Sequence, residues 1–308
     1  MKALVIGYGS IGQRHSRILA SLGIETAVLS RRSVDFPTSY QDLSEAIRRF
    51  SPQYIVIASK TGEHLNDMRR LIELGWKGTV LVEKPLFHES LEIPVEESGI
   101  EIYVAYNLRF HPGLLKLKTI IDRERPISVR MYTGQYLPDW RPHRDYRKSY
   151  SSKKEEGGGV LRDLSHELDY ITWLLGKWSR LTAVGGKFSS LEISGDDCWG
   201  VLLETEKCPL VSLQINYLDR PGKREIDILT DQNTYRLDVS NHRLTCNGVP
   251  ETFEIDRDYS YIKQHEDILK LGKKTVCSFS EGIQVLRMID AIEKSNKEGA
   301  WIWNERNG

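Results

Sequence analysis

Five short, continuously apolar runs alternate with stretches of helical periodicity over the first 107 residues, and this alternation leaves few folds open. The runs are KALVIG (2–7), TAVLS (26–30), YIVIAS (54–59), TVLVEKP (79–85) and EIYVAYN (101–107). Runs of this kind are strands buried on both faces. IGQRHSRILASLG (11–23), LSEAIRRF (43–50) and EHLNDMRRLIELG (63–75) lie between them; the first and third end in glycine, as helices commonly do. Strands alternating with helices in this way predict a parallel sheet covered on both sides.

After about residue 120 the rhythm changes. ISVRMYTGQYL (127–137) reads as a long strand, followed by a polar loop at 138–159 and a helix. From 180 to about 255 nearly everything is strand, with short turns such as DQN and SNH that join antiparallel neighbours. Helices at 260–272 and 280–299 close the chain. The expected fold class is α/β, with a parallel domain at 1–120 and an α+β domain built on a large, mostly antiparallel sheet at 121–308, the last helices being free to return to the first domain.

Totals exclude some functions. With 43 basic and 43 acidic residues the formal charge is zero, so no nucleic-acid partner is expected to bind through bulk charge. No apolar run is long enough to span a bilayer, and MKALVIGYGS is too short and too glycine-interrupted for a leader, so a cytoplasmic protein with no membrane association is expected. The four cysteines form no CxxC pair and are read as buried thiols; no metal site is expected.

Gly7, Gly9 and Gly12 form GxGxxG between the first strand and first helix. In that context the first glycine permits the turn, the second lets backbone approach a pyrophosphate, and the third lets helix and strand pack closely. The first domain is therefore read as a Rossmann dinucleotide-binding domain. Its cofactor-binding set is Gly7, Gly9, Ser10, Ile11, Gly12, Ser30, Arg31, Arg32, Ser59, His64, Glu83 and Lys84. The second strand ends in Ser30-Arg31-Arg32 without the acidic residue that binds a ribose 2′-hydroxyl. Two guanidiniums suit a 2′-phosphate, so NADP is favoured over NAD, with Asp35 as the residue that would serve NAD.

GGGVLRDLSHELDYITWLLG (157–176) is read as one amphipathic helix behind a glycine loop. At ~100° per residue, Leu164, Leu168, Ile171 and Leu175 form its core stripe. Asp163, His166 and Asp169 lie off that stripe, together with Tyr170 and Trp173, an arrangement that fits a covered cleft better than open solvent.

The glycine loop, EKP (83–85), AYNLRFHP (105–112) and this last stretch occur in an order that resembles the glucose–fructose oxidoreductase / inositol dehydrogenase (Gfo/Idh/MocA) family across essentially the whole chain. The resemblance implies an NAD(P)-dependent oxidoreductase acting on CH–OH groups of sugars, cyclitols or their derivatives. It implies that Lys84, before an often cis proline, hydrogen-bonds the reacting oxygen, that His166 transfers the proton, and that Asp163 supports the lysine and the substrate. One departure is plain: the family's common DxxxH spacing is DxxH here. Asp169 is read as orienting His166 or holding the helix.

The loop 138–156 interleaves Arg141, Arg144, Arg147, Lys148, Lys153 and Lys154 with aromatic residues; it is either a solvated face or an anion-binding flap. Arg109, Arg141, Arg144 and Asp169 are the candidate substrate-binding residues. The form LSHELDYI resembles family members of bacterial surface-polysaccharide biosynthesis, which implies a nucleotide-activated or acidic sugar as the small-molecule partner. The resemblance also implies a homodimer or homotetramer assembled through the C-terminal sheet. Two further functions compete: a dinucleotide-sensing binding protein, which needs neither Lys84 nor His166, and an NAD-recycling redox glycosidase.

Overall fold

The computed structural model describes residues 1–90, 98–140 and 142–304. In chain order its first elements are β1 (Lys2–Ile6), α1 (Ser10–Ser21), β2 (Glu25–Leu29), β3 (Ser39–Tyr40), α2 (Leu43–Phe50), β4 (Tyr54–Ile57), α3 (His64–Glu73), β5 (Gly78–Val82) and β6 (Ile100–Val104). Then come α4 (Pro112–Ile121), β7 (Pro126–Gly134), α5 (Val160–Asp163), α6 (His166–Leu175), β8 (Trp178–Gly186), β9 (Cys198–Thr205) and β10 (Leu210–Asn216). The rest is β11 (Lys223–Thr230), β12 (Thr234–Asp238), β13 (Arg243–Cys246), β14 (Val249–Thr252), α7 (Tyr259–Glu266), β15 (Cys277–Ser278), α8 (Phe279–Glu298) and β16 (Ile302–Trp303).

Packing divides the chain into two compact units, 1–107 with 258–286, and 108–257 with 287–308. α4, expected in the first domain, belongs to the second unit: Leu114, Leu117 and Ile121 are buried there, and Lys118 Nζ donates to Trp173 O at 2.7 Å. The segment 258–286 returns to the first unit, where β15 pairs antiparallel with β6.

The first unit is built on a sheet of order β15-β6-β5-β4-β1-β2-β3, parallel apart from β15. Its strands are buried because Ala3, Leu4, Val5, Ile55, Val56, Val80 and Leu81 are covered on both faces. Strand order reverses between β1 and β4, and ligands of doubly wound sheets bind in the crevice that such a reversal opens. The glycine turn lies there. A Cβ on Gly12 would sit 2.0 Å from Gly7 O, and only its absence lets α1 start directly against the end of β1.

The second unit carries a nine-stranded sheet, β14-β13-β12-β11-β7-β10-β9-β8-β16, antiparallel except where β7 and β10 run parallel. Alternation gives it a buried face, with Met131, Val201, Leu203 and Leu213, and an open face, with Val184 and Leu202 exposed. The helix expected over 157–176 is two helices. α5 ends at Asp163, Leu164 leaves helical geometry (φ −97°, ψ 32°), and α6 starts at His166. Two cysteines, Cys208 and Cys277, are buried thiols, whereas Cys198 and Cys246 are only half-buried. Among the described residues no helix is long and apolar enough to cross a membrane.

Gly12→Ala is expected to destabilise the protein by about 1–3 kcal/mol, because a methyl group must displace backbone. Gly9→Ala is expected to change stability by less than about 0.5 kcal/mol, since its Cβ would meet nothing within 4 Å. Urea denaturation of both variants checks the contrast.

Candidate active site

In the first unit the glycine turn delivers the N-terminus of α1. Gly9 is its N-cap, no side chain caps the end, and the first turn holds no acidic residue. Unpaired N–H groups and the positive end of the helix dipole therefore face outward beside a glycine whose missing Cβ leaves open space. This cradle fits the pyrophosphate of a dinucleotide. Ser10 is exposed and Ile11 half-buried. At the end of β2, Ser30 N–H donates to Tyr40 O and Ser30 Oγ accepts the Arg32 amide at 3.1 Å. Arg31 is 82% exposed and pairs with Glu63 at 2.7 Å, so an incoming anion competes with that carboxylate.

At the ends of β4 and β5, Ser59 Oγ donates to Asp67 at 2.7 Å. Buried His64 lies 3.2 Å from the carbonyls of Ser59, Pro85 and Leu86, and burial lowers its pKa. Glu83 is buried against His15, at 2.8 Å, and its second oxygen accepts the Lys84 amide at 3.2 Å. Lys84 is half-buried, and the Lys84–Pro85 peptide is cis.

In the second unit the glycine run is set by packing. Gly159 has φ +120°, and a Cβ there would lie 2.2 Å from Asp196 Oδ1. Asp196 in turn accepts the Leu161 amide at 2.9 Å and Trp199 Nε1 at 2.7 Å, which fixes the start of α5. Asp163, at the end of that helix, is buried and accepts a 2.6 Å hydrogen bond from Tyr217. Burial raises the pKa of Tyr217 far above its ordinary value, so it acts as a donor; its ring packs edge-on to Trp140 at 5.2 Å. His166 is 9% exposed.

The rest of α6 also carries buried polar side chains. Glu167 is fully buried and accepts from Thr133 at 2.7 Å, Tyr170 at 3.0 Å and Arg224 Nε at 2.8 Å. Arg109 is 2% exposed, makes a bidentate pair with Asp169 (Nε 3.0 Å, Nη2 2.6 Å) and packs over Trp173. Arg109 and Asp169, both expected at the substrate, are engaged with each other in an internal ion pair. His111 caps α4, accepting the Gly113 amide at Nδ1, which places its proton on Nε2, 3.0 Å from His242. Burial lowers its pKa to about 4.

Arg141 lies outside the described residues. Arg144 is exposed. Arg147 pairs with Asp145 and Glu192, and Lys153 with Glu156, so part of the loop's basic charge is neutralised within it. Sequence reasoning missed Tyr217, Glu167, Arg224, His15 and His265. Glu167 was signalled only by its place beside His166, and Tyr217 by nothing local. Among the described residues no cluster of His, Cys, Asp or Glu could hold a metal ion.

A doubly wound sheet with a glycine turn at its reversal point, joined to a unit on an open-faced sheet, defines a Rossmann-type α/β protein with an α+β second unit. Residues 114–239 match the GFO/IDH/MocA C-terminal domain, the family that the motifs resemble. It is similar to levoglucosan dehydrogenase of Pseudarthrobacter phenanthrenivorans (26% identity over 204 residues, 58% of this chain and 52% of that protein). It also resembles inositol 2-dehydrogenase of Rhizobium meliloti (24% over 190 residues, 56% and 54%). These matches span about half the length of those two relatives. In fold it matches an oxidoreductase from Thermotoga maritima (TM-score 0.83, 18% identity, 98% of both chains). It also matches the WlbA dehydrogenase from Bordetella pertussis, solved with NADH and UDP-GlcNAcA (TM-score 0.80, 19% identity, 99% of both chains).

If Arg109 and Asp169 are a structural pair, Arg109→Met alone is expected to cost about 3–5 kcal/mol by stranding a buried carboxylate. The double variant Arg109→Met/Asp169→Leu is expected to recover more than half of that loss. Denaturant titration of the double-mutant cycle measures both.

Proposed function

We propose that this protein is an NAD(P)-dependent dehydrogenase or reductase acting on a hydroxyl or keto carbon of a sugar or sugar derivative. The observation that carries the reading is the uncapped α1 N-terminus behind Gly9, in the same unit as Lys84 at the carboxyl edge of the sheet. Gly7, Gly9, Ser10, Ile11 and Gly12 hold the pyrophosphate, with Ser30, Arg31, Arg32, Ser59, His64 and Glu83 completing the cofactor site. The dinucleotide, when bound, accepts or supplies the hydride. Oxidation of an alcohol also releases a proton and leaves negative charge on oxygen. The Lys84 ammonium hydrogen-bonds that oxygen, and His166 takes the proton. The supporting role falls to Asp163, which is fixed by Tyr217.

Arg31 and Arg32, exposed at the end of β2, favour the 2′-phosphate of NADP. Structures of similar fold hold NAD or NADH. Exposed Arg144, Lys148 and Lys154 suit an acidic or nucleotide-activated sugar, the class of ligand seen in the WlbA structure. The open sheet face, with exposed Val184 and Leu202 flanked by Arg130 and Glu225, suits a homodimer or a larger homo-oligomer.

Titration with NADPH and NADH, read by nicotinamide fluorescence, is expected to give tighter NADPH binding, and Arg31→Ala is expected to abolish the difference. Equal or tighter NADH binding overturns the NADP preference; binding of neither removes the dehydrogenase reading. Against a panel of sugars including levoglucosan, D-xylose and UDP-GlcNAcA, Lys84→Met and His166→Asn are each expected to lower kcat/KM by about 10²–10⁴ while still binding cofactor. Light scattering is expected to show an oligomer that Leu202→Glu converts to monomer.

A further inference from the structure

Four buried side chains of the first unit, three from different elements and one from the segment just after β5, form one line of hydrogen bonds. The Tyr54 hydroxyl, at the start of β4, lies 2.9 Å from Nδ1 of His265 on α7. His265 Nε2 lies 2.8 Å from Nδ1 of His15 on α1. His15 Nε2 lies 2.8 Å from Oε1 of Glu83, the residue beside Lys84. Tyr54, His15 and His265 are fully buried.

Counting protons gives the line a direction. Three bonds need three protons, and a phenol, two neutral imidazoles and a carboxylate supply three. Tyr54 then donates to His265, His265 Nε2–H to His15, and His15 Nε2–H to Glu83, with no donor wasted. A fourth proton breaks this arrangement in every placement. On either imidazole it turns His265 Nδ1–H toward the Tyr54 oxygen, and the Tyr54 proton then faces no other acceptor among the described residues. On Glu83 Oε2 it sets an O–H against the Lys84 amide that this oxygen accepts. A buried donor without an acceptor is costly.

The geometry points to His15, His265 and Tyr54 as positioning residues for Lys84: a directed line that keeps Glu83 a carboxylate and so fixes the strand end carrying the lysine. The proposal rests on the role given to Lys84 under Proposed function. Other charged or titratable groups face the line. Lys84 and His64 lie beside Glu83, and Tyr261 packs edge-on to His15 with Arg14 over its ring and Asp258 pairing Arg14. The shifts agree in direction. Burial, then the neighbouring His15, holds the pKa of His265 well below its ordinary value. Burial pushes the Glu83 carboxyl up, but the hydrogen bond from His15 and the charge of Lys84 help bring it below the ordinary range. With both depressed, the three-proton line is complete above the ordinary histidine range and is lost as pH falls through the lowered values.

The test is imidazole ¹⁵N–¹H NMR of the full-length protein with ¹⁵N-labelled histidine, the signals of His15 and His265 assigned from His15→Gln and His265→Gln. Both rings are expected as neutral Nε2–H tautomers at pH 7. An Nδ1–H tautomer or an imidazolium on either ring at that pH overturns the line. Tyr54→Phe removes the donor that makes the fourth proton costly, so the midpoint of proton uptake is expected to rise by about one pH unit. The acid limb of kcat with NAD(P)H is expected to move with it, while KM for the cofactor at pH 8 stays within about twofold. A lower Tm with an unmoved acid limb overturns the positioning role and leaves only a structural one. If the wild type turns over no sugar, the functional reading fails and Lys84 loses its role; the tautomers and the NMR midpoint still decide the line itself.

Discussion

The hydrogen bond between His15 and Glu83 joins the two parts of the first unit that the proposed chemistry uses. His15 lies on the helix whose N-terminus is the proposed phosphate cradle, and Glu83 lies between the end of β5 and Lys84. Both groups are buried, so neither can exchange its partner for water, and removing one strands the other. Shifting α1 along β1 would therefore break this bond as well as the close approach of Gly12 to Gly7. Cradle and lysine are held in register by one contact between residues 68 positions apart.

The first unit was legible because its constraints are local. Continuous apolar runs, glycine stops and the position of GxGxxG are short-range features that fix strand order once chirality and connection rules apply. What was illegible depended on long-range pairing. The last helices were read as free to return to the first domain, but the contacts that bring 258–286 there, β15 against β6 and His265 against His15, leave no trace in local periodicity. The parallel pairing of β7 with β10 inside an otherwise antiparallel sheet is equally silent.

The candidate site divides in the same way. Lys84, Asp163 and His166 were visible because motifs mark them, and the cis Lys84–Pro85 peptide agrees with expectation. The pairing of Arg109 was not legible, because an arginine beside a motif reads as a ligand for anions and its partner Asp169 is 60 residues away. Tyr217 could not be read at all: it follows an ordinary strand, and only the fold sets its hydroxyl on Asp163.

The break at Leu164 also changes what the distance between Asp163 and His166 means. On one continuous helix, deleting a residue between them would rotate His166 by ~100° relative to Asp163. Here α6 takes its register from Leu168, Ile171, Leu174 and Leu175, all buried, and α5 takes its own from Asp196. The junction absorbs a change of length without turning either helix. A DxxH and a DxxxH sequence can thus present the same two side chains, and an alignment gap belongs at the joint rather than within either helix.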